Sequence, residues 1–352
     1  MKSCLSESSD RGVGRIVRLL QQANPNVTSS TARTAARRLG RNWLGAALSL
    51  LIVACVSVAL WHLLRGINAG KLIAAFTAQP MRNIVIAGVF VVLGYITLTF
   101  FDVFALHIIG RRTVPFHVAA LASFTSYTIG HSLGAATLTG AVVRLRVYSA
   151  WGLNVLDIGK IAFVTGMTFW LGNAVVLGGA MAYAPEAAGV IDRLPSWINR
   201  IIGLMTLLGI ACYLTWLAPR PRTVGYANWK LVLPSMRLTL VQTGIGAMDL
   251  CLVTAAMYAL LPPNPAVDFV PVLVIFVTAT LLGTVSHVPG SLGVIEAALL
   301  IGLPQFPKEE LLAALLTFRV AYFVIPFLLA TLALGLRELG LVARPRMTSP
   351  PS

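Results

Sequence analysis

The chain has 352 residues, of which 57% are hydrophobic and only 11% charged, and its formal net charge is +15. Soluble domains carry roughly 25% charged residues, so this composition excludes an ordinary soluble enzyme. Nucleic-acid binding is also excluded, because the Lys and Arg residues flank apolar blocks and form no patch interleaved with aromatic residues.

Long apolar blocks dominate the sequence. A helix that crosses the roughly 30 Å hydrocarbon core of a bilayer needs about 20 mostly apolar residues, and its backbone must satisfy its own hydrogen bonds. Seven blocks reach this length: Trp43–Leu64, Asn83–Ile109, Ile158–Tyr183, Trp197–Leu217, Leu238–Leu261, Phe269–Val288 and Leu311–Leu336. The sequence therefore predicts an all-α, polytopic membrane bundle of about seven or eight spans. Pro326, inside the last block, predicts a kink.

The predicted organisation has three parts. Residues 1–42 form a basic tail, residues 43–336 a transmembrane domain, and residues 337–352 a short second tail. Basic loops favour the cytoplasmic side of a membrane, which predicts cytoplasmic termini and a multi-pass protein of the cell (inner) membrane. Seven spans have the wrong parity for that arrangement, so one further interrupted block is expected to cross.

Two apolar blocks differ from simple spans. His117–Val143 is rich in Gly and hydroxyl side chains, and Pro289–Leu303 is short. They share Ser-Leu-Gly within Gly130-His131-Ser132-Leu133-Gly134 and Pro289-Gly290-Ser291-Leu292-Gly293. Irregular backbone at membrane depth is tolerated where it is buried or lines a cavity. We therefore predict two broken or re-entrant segments, and a matched pair of this kind indicates an inverted repeat around a binding site.

Several ionisable residues fall deep inside the predicted helices, where they are costly and usually functional. They are Asp102, His131, Asp249, Glu296 and Arg319. Each also has a structural interpretation. Glu296 and Arg319 could form an ion pair that joins the last helices, the aspartates could bond neighbouring hydroxyls, and His131 could cap the broken backbone.

Motifs for soluble chemistry are absent from the sequence. It contains no Walker loop, no Gly-x-Ser-x-Gly elbow, no His-Glu-x-x-His and no dinucleotide fingerprint. Its four cysteines form no Cys-x-x-Cys pair. We therefore expect neither an enzyme nor a cofactor or metal site.

Three segments resemble one known family. They are Ser123-Phe124-Thr125-Ser126-Tyr127-Thr128-Ile129-Gly130-His131-Ser132-Leu133-Gly134, with Arg144-Leu145-Arg146-Val147-Tyr148 after it, then Pro289-Gly290-Ser291-Leu292-Gly293-Val294-Ile295-Glu296, and Arg319-Val320-Ala321-Tyr322-Phe323-Val324-Ile325-Pro326. Their order and spacing are similar to those of the lysylphosphatidylglycerol synthase transmembrane family. This family is the flippase half of MprF-type proteins and their stand-alone relatives. The resemblance runs from about Trp43 to Leu336.

The resemblance implies a lipid flippase of the bacterial inner membrane, moving aminoacylated phosphatidylglycerol or a related phospholipid to the outer leaflet. Arg144 or Arg319 would hold the lipid phosphate, and an acidic residue would neutralise a cationic headgroup. Three deep acids against one deep arginine favour such a cation. The expected cavity residues are Arg144, Arg319, Glu296, Asp102, Asp249, His131, Ser126, Tyr127 and Tyr322. The expected broken backbone comprises Gly130, Gly134, Pro289, Gly290, Ser291, Gly293 and Pro326.

The chain departs from this family in two ways. Ser291 replaces a glycine found in many members, and is small enough to keep the turn. Bifunctional members continue into an aminoacyl-transferase domain that this sequence does not contain, so the resemblance implies lipid transport without synthesis. Transport could then involve a separate synthase partner or a homo-oligomer.

Other functions are compatible with the same residues. The chain could be an ion- or proton-coupled transporter of a small molecule, with His131 and the acids as a relay. It could also be a non-transporting scaffold for a lipid-modifying enzyme. An intramembrane enzyme with Glu296 or His131 as base is disfavoured, because no nucleophile has suitable spacing.

Overall fold

The structure is a computed structural model that describes residues 69–133, 136–218, 222–226, 229–286 and 288–342. The helices are α1 (Ala69–Thr77), α2 (Met81–Ile108), α3 (Phe116–Leu133), α4 (Ala136–Tyr148), α5 (Val155–Tyr183), α6 (Pro185–Asp192), α7 (Ser196–Leu217), α8 (Met236–Leu260), α9 (Phe269–Ser286), α10 (Val294–Gly302), α11 (Lys308–Arg319) and α12 (Ile325–Val342). Antiparallel strands β1 (Thr223–Tyr226) and β2 (Trp229–Val232) form a small hairpin in the loop after α7. The predicted all-α membrane bundle is confirmed.

Six helical segments in the described part of the chain are long and apolar enough to cross a membrane. They coincide, within a few residues, with six of the seven predicted blocks. The seventh block, Trp43–Leu64, lies outside the described residues, as does the predicted tail at residues 1–42. The last helix continues to Val342, past the end of its apolar block at Leu336, because a helix that leaves the bilayer no longer requires apolar side chains.

The bundle has two distinguishable ends. At the first, which we call the basic end, Arg111 pairs with Asp157 at 2.8 Å, and Arg337 donates hydrogen bonds to the carbonyls of Arg146 and Val147. An apolar cluster there includes the following residues from five elements: Ile108, Val147, Ile158, Leu231 and Leu334. At the opposite end, Leu260, Leu303 and Leu311 share another cluster.

Helices α3 and α4 form the first hairpin, which begins and ends at the basic end. The two arms pack side by side. A side chain at Gly140 would come within 3.3 Å of the Ser126 carbonyl oxygen, so only glycine allows this approach without displacement. The segment thus doubles back as predicted. Gly134, which was expected at its break, lies outside the described residues, between Leu133 and Ala136.

Helices α9 and α10 form the second hairpin, which begins and ends at the opposite end. Its turn has positive φ at Gly290 (60°), Ser291 (49°) and Gly293 (79°). A Cβ at Gly302 would overlap Ile275, so α10 runs back along α9. The nine residues of α10 span about 14 Å and the 18 residues of α9 about 27 Å, so α10 is the shorter arm of this hairpin.

The two hairpins occupy equivalent places in the chain. The order helix, hairpin, helix occurs once as α2, α3–α4, α5 and again as α8, α9–α10, α11–α12. Because the hairpins enter from opposite ends, the arrangement is that of an inverted repeat. Each hairpin returns to the end of the bundle where it began, and α9 forms one arm of the second hairpin although it is long and apolar enough to cross a membrane. The expectation that an interrupted block supplies an extra crossing stays a prediction, because the block Trp43–Leu64 lies outside the described residues.

Helices α2, α5 and α8 form the centre that both hairpins contact. Helices α5 and α8 approach so closely that a Cβ at Gly172 would overlap the backbone of Gly246. The turn of the second hairpin packs against α3 of the first. The two interrupted segments therefore meet inside the bundle, although they enter it from opposite ends.

Candidate functional site

The first hairpin is held by a buried ion pair. Arg144 on α4 donates from Nη2 to Oδ1 of Asp102 at 2.8 Å and from Nε to Oδ2 at 3.0 Å. The Tyr148 hydroxyl donates a further hydrogen bond to Asp102 Oδ2 at 2.8 Å. The side chains of Arg144 and Asp102 are 5% and 0% exposed. Such a bidentate, additionally hydrogen-bonded pair is the geometry that stabilises two charges away from water.

The second hairpin is held by another ion pair, which also grips its turn. Arg319 on α11 pairs through Nε with Glu296 on α10. Its two remaining nitrogens donate to the carbonyls of Gly290 at 2.9 Å and Ser291 at 3.2 Å. The second oxygen of Glu296 accepts from the backbone N–H of Gly293 at 2.8 Å. The pair thus satisfies backbone groups that the left-handed turn leaves outside any helix.

These contacts revise the charge balance inferred from the sequence. Because α4 extends to Tyr148, Arg144 lies within the hairpin and is buried, rather than following the interrupted segment. Asp102 and Glu296 are therefore each neutralised by an arginine of the same chain. The ion pair between Glu296 and Arg319 is present, as is a tyrosine hydrogen bond to Asp102. Among the deep acids considered, Asp249 has no such partner.

Asp249 lies at the middle of the 25-residue helix α8 and is 8% exposed. Its Oδ1 atom is buried and accepts no hydrogen bond from any described residue. The carboxylate packs against α2 at Gly94, where an added Cβ would lie 3.9 Å from Oδ1. An isolated ionised carboxylate in an apolar interior is strongly disfavoured. The carboxyl group therefore requires either a proton or a cation.

Three tyrosines from three different elements lie within electrostatic range of Asp249. They are Tyr95 on α2, Tyr127 on α3 and Tyr322 on the segment before α12. The rings of Tyr95 and Tyr322 are 5.5 Å apart. We call these three tyrosines and Asp249 the central site. Aromatic faces and a carboxylate together attract an organic cation.

A helix irregularity places Tyr322 in the central site. Residues Val320–Val324 form a π-helical turn, a feature often found at functional sites. Pro326 has no N–H, so it cannot bond the carbonyl of Tyr322 four residues earlier. The Tyr95 hydroxyl donates to that carbonyl instead, at 3.0 Å. The kink predicted at Pro326 is thus a bulge whose freed carbonyl is satisfied by a neighbouring helix.

Tyr127 connects the central site with the first ion pair. The Arg144 guanidinium lies 4.7 Å from the centre of the Tyr127 ring. The ring of His131, in the last turn of the same helix α3, lies 6.0 Å from the Tyr127 ring. The hydroxyls of Ser126, Tyr127 and Thr128 are buried and have no hydrogen-bond partner among the described residues. Buried polar atoms without partners indicate room for water or a polar ligand.

The structure brings together most of the predicted site residues. Asp249, Tyr127 and Tyr322 share the central site, whereas Asp102, Arg144, Glu296 and Arg319 form the two flanking pairs. Gly94 and Tyr95, which also lie beside Asp249, were not predicted from the sequence. A tyrosine and a glycine side by side in the middle of an apolar block are a weak signal, and only the packing of α2 on α8 makes them informative.

A separate cleft opens at the opposite end of the bundle, with a volume of about 500 Å³. Its lining includes Gln79, Pro263, Pro307 and Glu310, and Leu260 at the end of α8. Asp249 lies 11 residues before Leu260, or about 17 Å along the helix. The cleft is therefore distinct from the central site. Within the described ranges, no three His, Cys, Asp or Glu residues converge as they would around a metal ion.

Comparison with known proteins gives three informative relatives, although no family model matches the chain. The protein slr0712 of Synechocystis is 29% identical over 84% of this chain and 91% of its own length. The inner membrane protein YbhN of Escherichia coli is 32% identical over 70% of this chain and 78% of its own. The phosphatidylglycerol lysyltransferase of Staphylococcus haemolyticus is 25% identical over 84% of this chain, but over only 34% of its own.

The match with the lysyltransferase has the lowest identity of the three. It agrees with the family resemblance seen in the sequence, because the lysyltransferase is named for modification of phosphatidylglycerol. The match with YbhN is stronger in identity and covers most of both proteins. Together with six helices capable of spanning a membrane, it supports a multi-pass inner membrane protein. The chain belongs to the family of the inner membrane protein YbhN.

Proposed function

We propose that the chain is a lipid translocator that moves aminoacylated phosphatidylglycerol, or a related phospholipid with a cationic headgroup, between the leaflets of the inner membrane. The observation that carries the proposal is the buried and unpartnered carboxyl group of Asp249 in the middle of α8, within electrostatic range of tyrosines from three other elements. A headgroup ammonium passing through the bundle needs a counter-charge, and the central site supplies one.

The two ion pairs receive a different role in this proposal from the one implied by the family resemblance. Arg144 and Arg319 are engaged by acids of their own chain, so they position the hairpins rather than bind the lipid phosphate. Breaking a pair would release one hairpin arm or its turn. Opening on alternate sides then requires movement of one hairpin at a time, which the opposite entry of the two hairpins permits.

The similarity to the phosphatidylglycerol lysyltransferase supports the choice of lipid class. That protein is named for attaching lysine to phosphatidylglycerol, and the product carries additional amines. We further propose, from the distribution of basic residues at Arg111, Arg146 and Arg337, that the basic end faces the cytoplasm. Transport would then run from the basic end towards the opposite end.

The test is leaflet exchange in liposomes that contain the purified protein. The exchange rates of labelled lysyl-, alanyl- and unmodified phosphatidylglycerol are compared. Uptake of free lysine, which carries two amines, is measured in the same liposomes as a test for a soluble substrate. We expect exchange of the aminoacylated lipids at least about tenfold faster than in protein-free liposomes, and at least about tenfold slower with Asp249→Asn. Asp268→Asn serves as the matched control, since Asp268 is exposed in the loop between α8 and α9.

Three results would contradict the proposal. Folded protein that accelerates no lipid is not a translocator, and the scaffold hypothesis would replace it. Uptake of free lysine without lipid exchange would instead favour the transporter of small molecules. Equal rates for Asp249→Asn and the wild type would show that the central site is not the route of the headgroup.

A further inference from the structure

The carboxyl group of Asp249 differs from the other deep acids in having no partner among the described residues to stabilise its charge. Leaving water is strongly unfavourable for an ionised carboxylate, even after relaxation of the protein. The hydrogen bonds and counter-charges that offset this cost at Asp102 and Glu296 are missing at Asp249 Oδ1. We therefore expect Asp249 to carry a proton unless a cation is bound beside it, because only a cation can replace the proton as its partner.

The groups that face Asp249 do not supply another charge. Helix α2 contributes Tyr95, α3 contributes Tyr127, and the bulge before α12 contributes Tyr322, all of which are uncharged near neutral pH. Helix α9 contains no ionisable residue. The ionisable residues of α5, α7 and α11 lie towards helix ends or, for Arg319, in the second ion pair, whereas Cys251 follows Asp249 on its own helix.

We propose that Asp249 is an exchange site, occupied in alternation by one proton and by one ammonium group of the lipid. On loading, the O–H bond of the Asp249 carboxyl group breaks and its proton passes to water, while the ammonium pairs with the carboxylate without any covalent change. On release, the carboxylate takes a proton from the side to which the lipid departs. Outward movement of a cationic headgroup is thereby coupled to inward movement of a proton.

The structure also sets the stoichiometry. Since Asp102 and Glu296 are already neutralised, the membrane-depth region that the structure describes holds one acid free for exchange. One ammonium should therefore displace one proton. The coupling rests on the proposed lipid transport. It also predicts the results of two measurements that lipid transport alone would not predict.

The first measurement is made on purified protein in mild detergent, with lysylphosphatidylglycerol as the probe between pH 5 and 6.5, where its amines stay charged. Displacement of one proton makes the dissociation constant rise about tenfold for each unit by which the pH falls. In weak buffer, binding should release about one proton per protein. Asp249→Asn should show neither effect, whereas Asp268→Asn should keep both.

The second measurement uses the liposome assay with an imposed pH gradient. Exchange of the lysyl lipid should be faster towards the acidic side than away from it, and the preference should reverse when the gradient is reversed. Asp249→Asn should remove the preference. Unmodified phosphatidylglycerol, which carries no ammonium, should show none.

The outcomes separate this inference from the proposed function. Lipid exchange that is indifferent to the gradient, with binding that releases no proton, would overturn proton exchange and leave lipid translocation standing. Absence of lipid exchange in folded protein would overturn translocation and the exchange with it. If Asp249→Asn does not fold, the pH dependence of binding by the wild type still decides the matter, because a flat dissociation constant excludes displacement of a proton.

Discussion

The two hairpins are fixed in the bundle by ion pairs that make different contacts. Each is a pair of helices that enters the bundle and returns, and each is fixed by one arginine–carboxylate pair. In the first hairpin, Arg144 and Asp102 lie fully inside the protein and join an arm to α2. In the second, Arg319 and Glu296 are 13% and 12% exposed, and their remaining groups bind the backbone of the turn.

This difference indicates which part of each hairpin its ion pair constrains. The first pair fixes the position of α4 through side chains alone, so its loss leaves a buried charge without compensation. The second pair fixes the shape of a turn, and its backbone contacts partly survive the loss of charge. We therefore expect the first pair to matter more for stability and the second to matter more for the movement of its hairpin.

The largest effect is expected for Asp102→Asn. The substitution leaves the buried guanidinium of Arg144 without a counter-charge, which costs about 3–5 kcal/mol of unfolding free energy. Thermal unfolding in mild detergent measures it. The matched control is Asp157→Asn, whose partner Arg111 is 42% exposed, and a loss below about 1 kcal/mol is expected there. Equal losses at both sites would show that burial does not distinguish them.

A smaller effect on stability is expected for Glu296→Gln. The amide oxygen can still accept a hydrogen bond, so the loss is that of charge assistance, about 2 kcal/mol. Because the turn at Gly290 and Gly293 loosens, lipid exchange should fall by more than stability does. A Glu296→Gln protein that unfolds more readily than Asp102→Asn would reverse the comparison of the hairpins. Normal exchange with that variant would limit Glu296 to a packing role.

The smallest effect is expected for Ser291→Gly in the turn of the second hairpin. Ser291 has φ 49°, a region that costs a residue with a Cβ about 1–2 kcal/mol, while glycine loses more entropy on folding. The net result should be stabilisation by less than about 1 kcal/mol, seen as a slightly higher melting temperature. Gly290→Ala provides the contrast, because φ is 60° there and a Cβ should destabilise the turn. Destabilisation by Ser291→Gly would mean that the serine hydroxyl outweighs the strain.

Several features of the fold were predictable because they depend on neighbouring residues. Block length and apolarity identified six helices in the described part of the chain, and Gly, Pro and hydroxyl residues identified both interrupted segments. The short helix at Pro185–Asp192 and the strand pair at Thr223–Val232 were not predicted. They lie in loops, where tertiary contacts rather than local pattern decide the structure.

The candidate site was predictable in its members but not in its arrangement. The sequence identified Asp102, Asp249, Glu296 and Arg319 because charge is expensive in a membrane whatever the fold, whereas Arg144 was named from the family resemblance. Their pairing joins residues far apart in the chain, and no local pattern encodes such contacts. Which acid remains without a partner is therefore invisible until the helices are packed.

A helical membrane protein with two broken segments and a few deep charges could be predicted from the sequence, since hydrophobicity and backbone breaks are properties of short stretches. Three further features required the packed structure: Phe269–Ser286 is a hairpin arm, both buried arginines pair with acids of the same chain, and Asp249 has no hydrogen-bond partner among the described residues. Those outcomes depend on the distance between side chains on different helices, which packing sets.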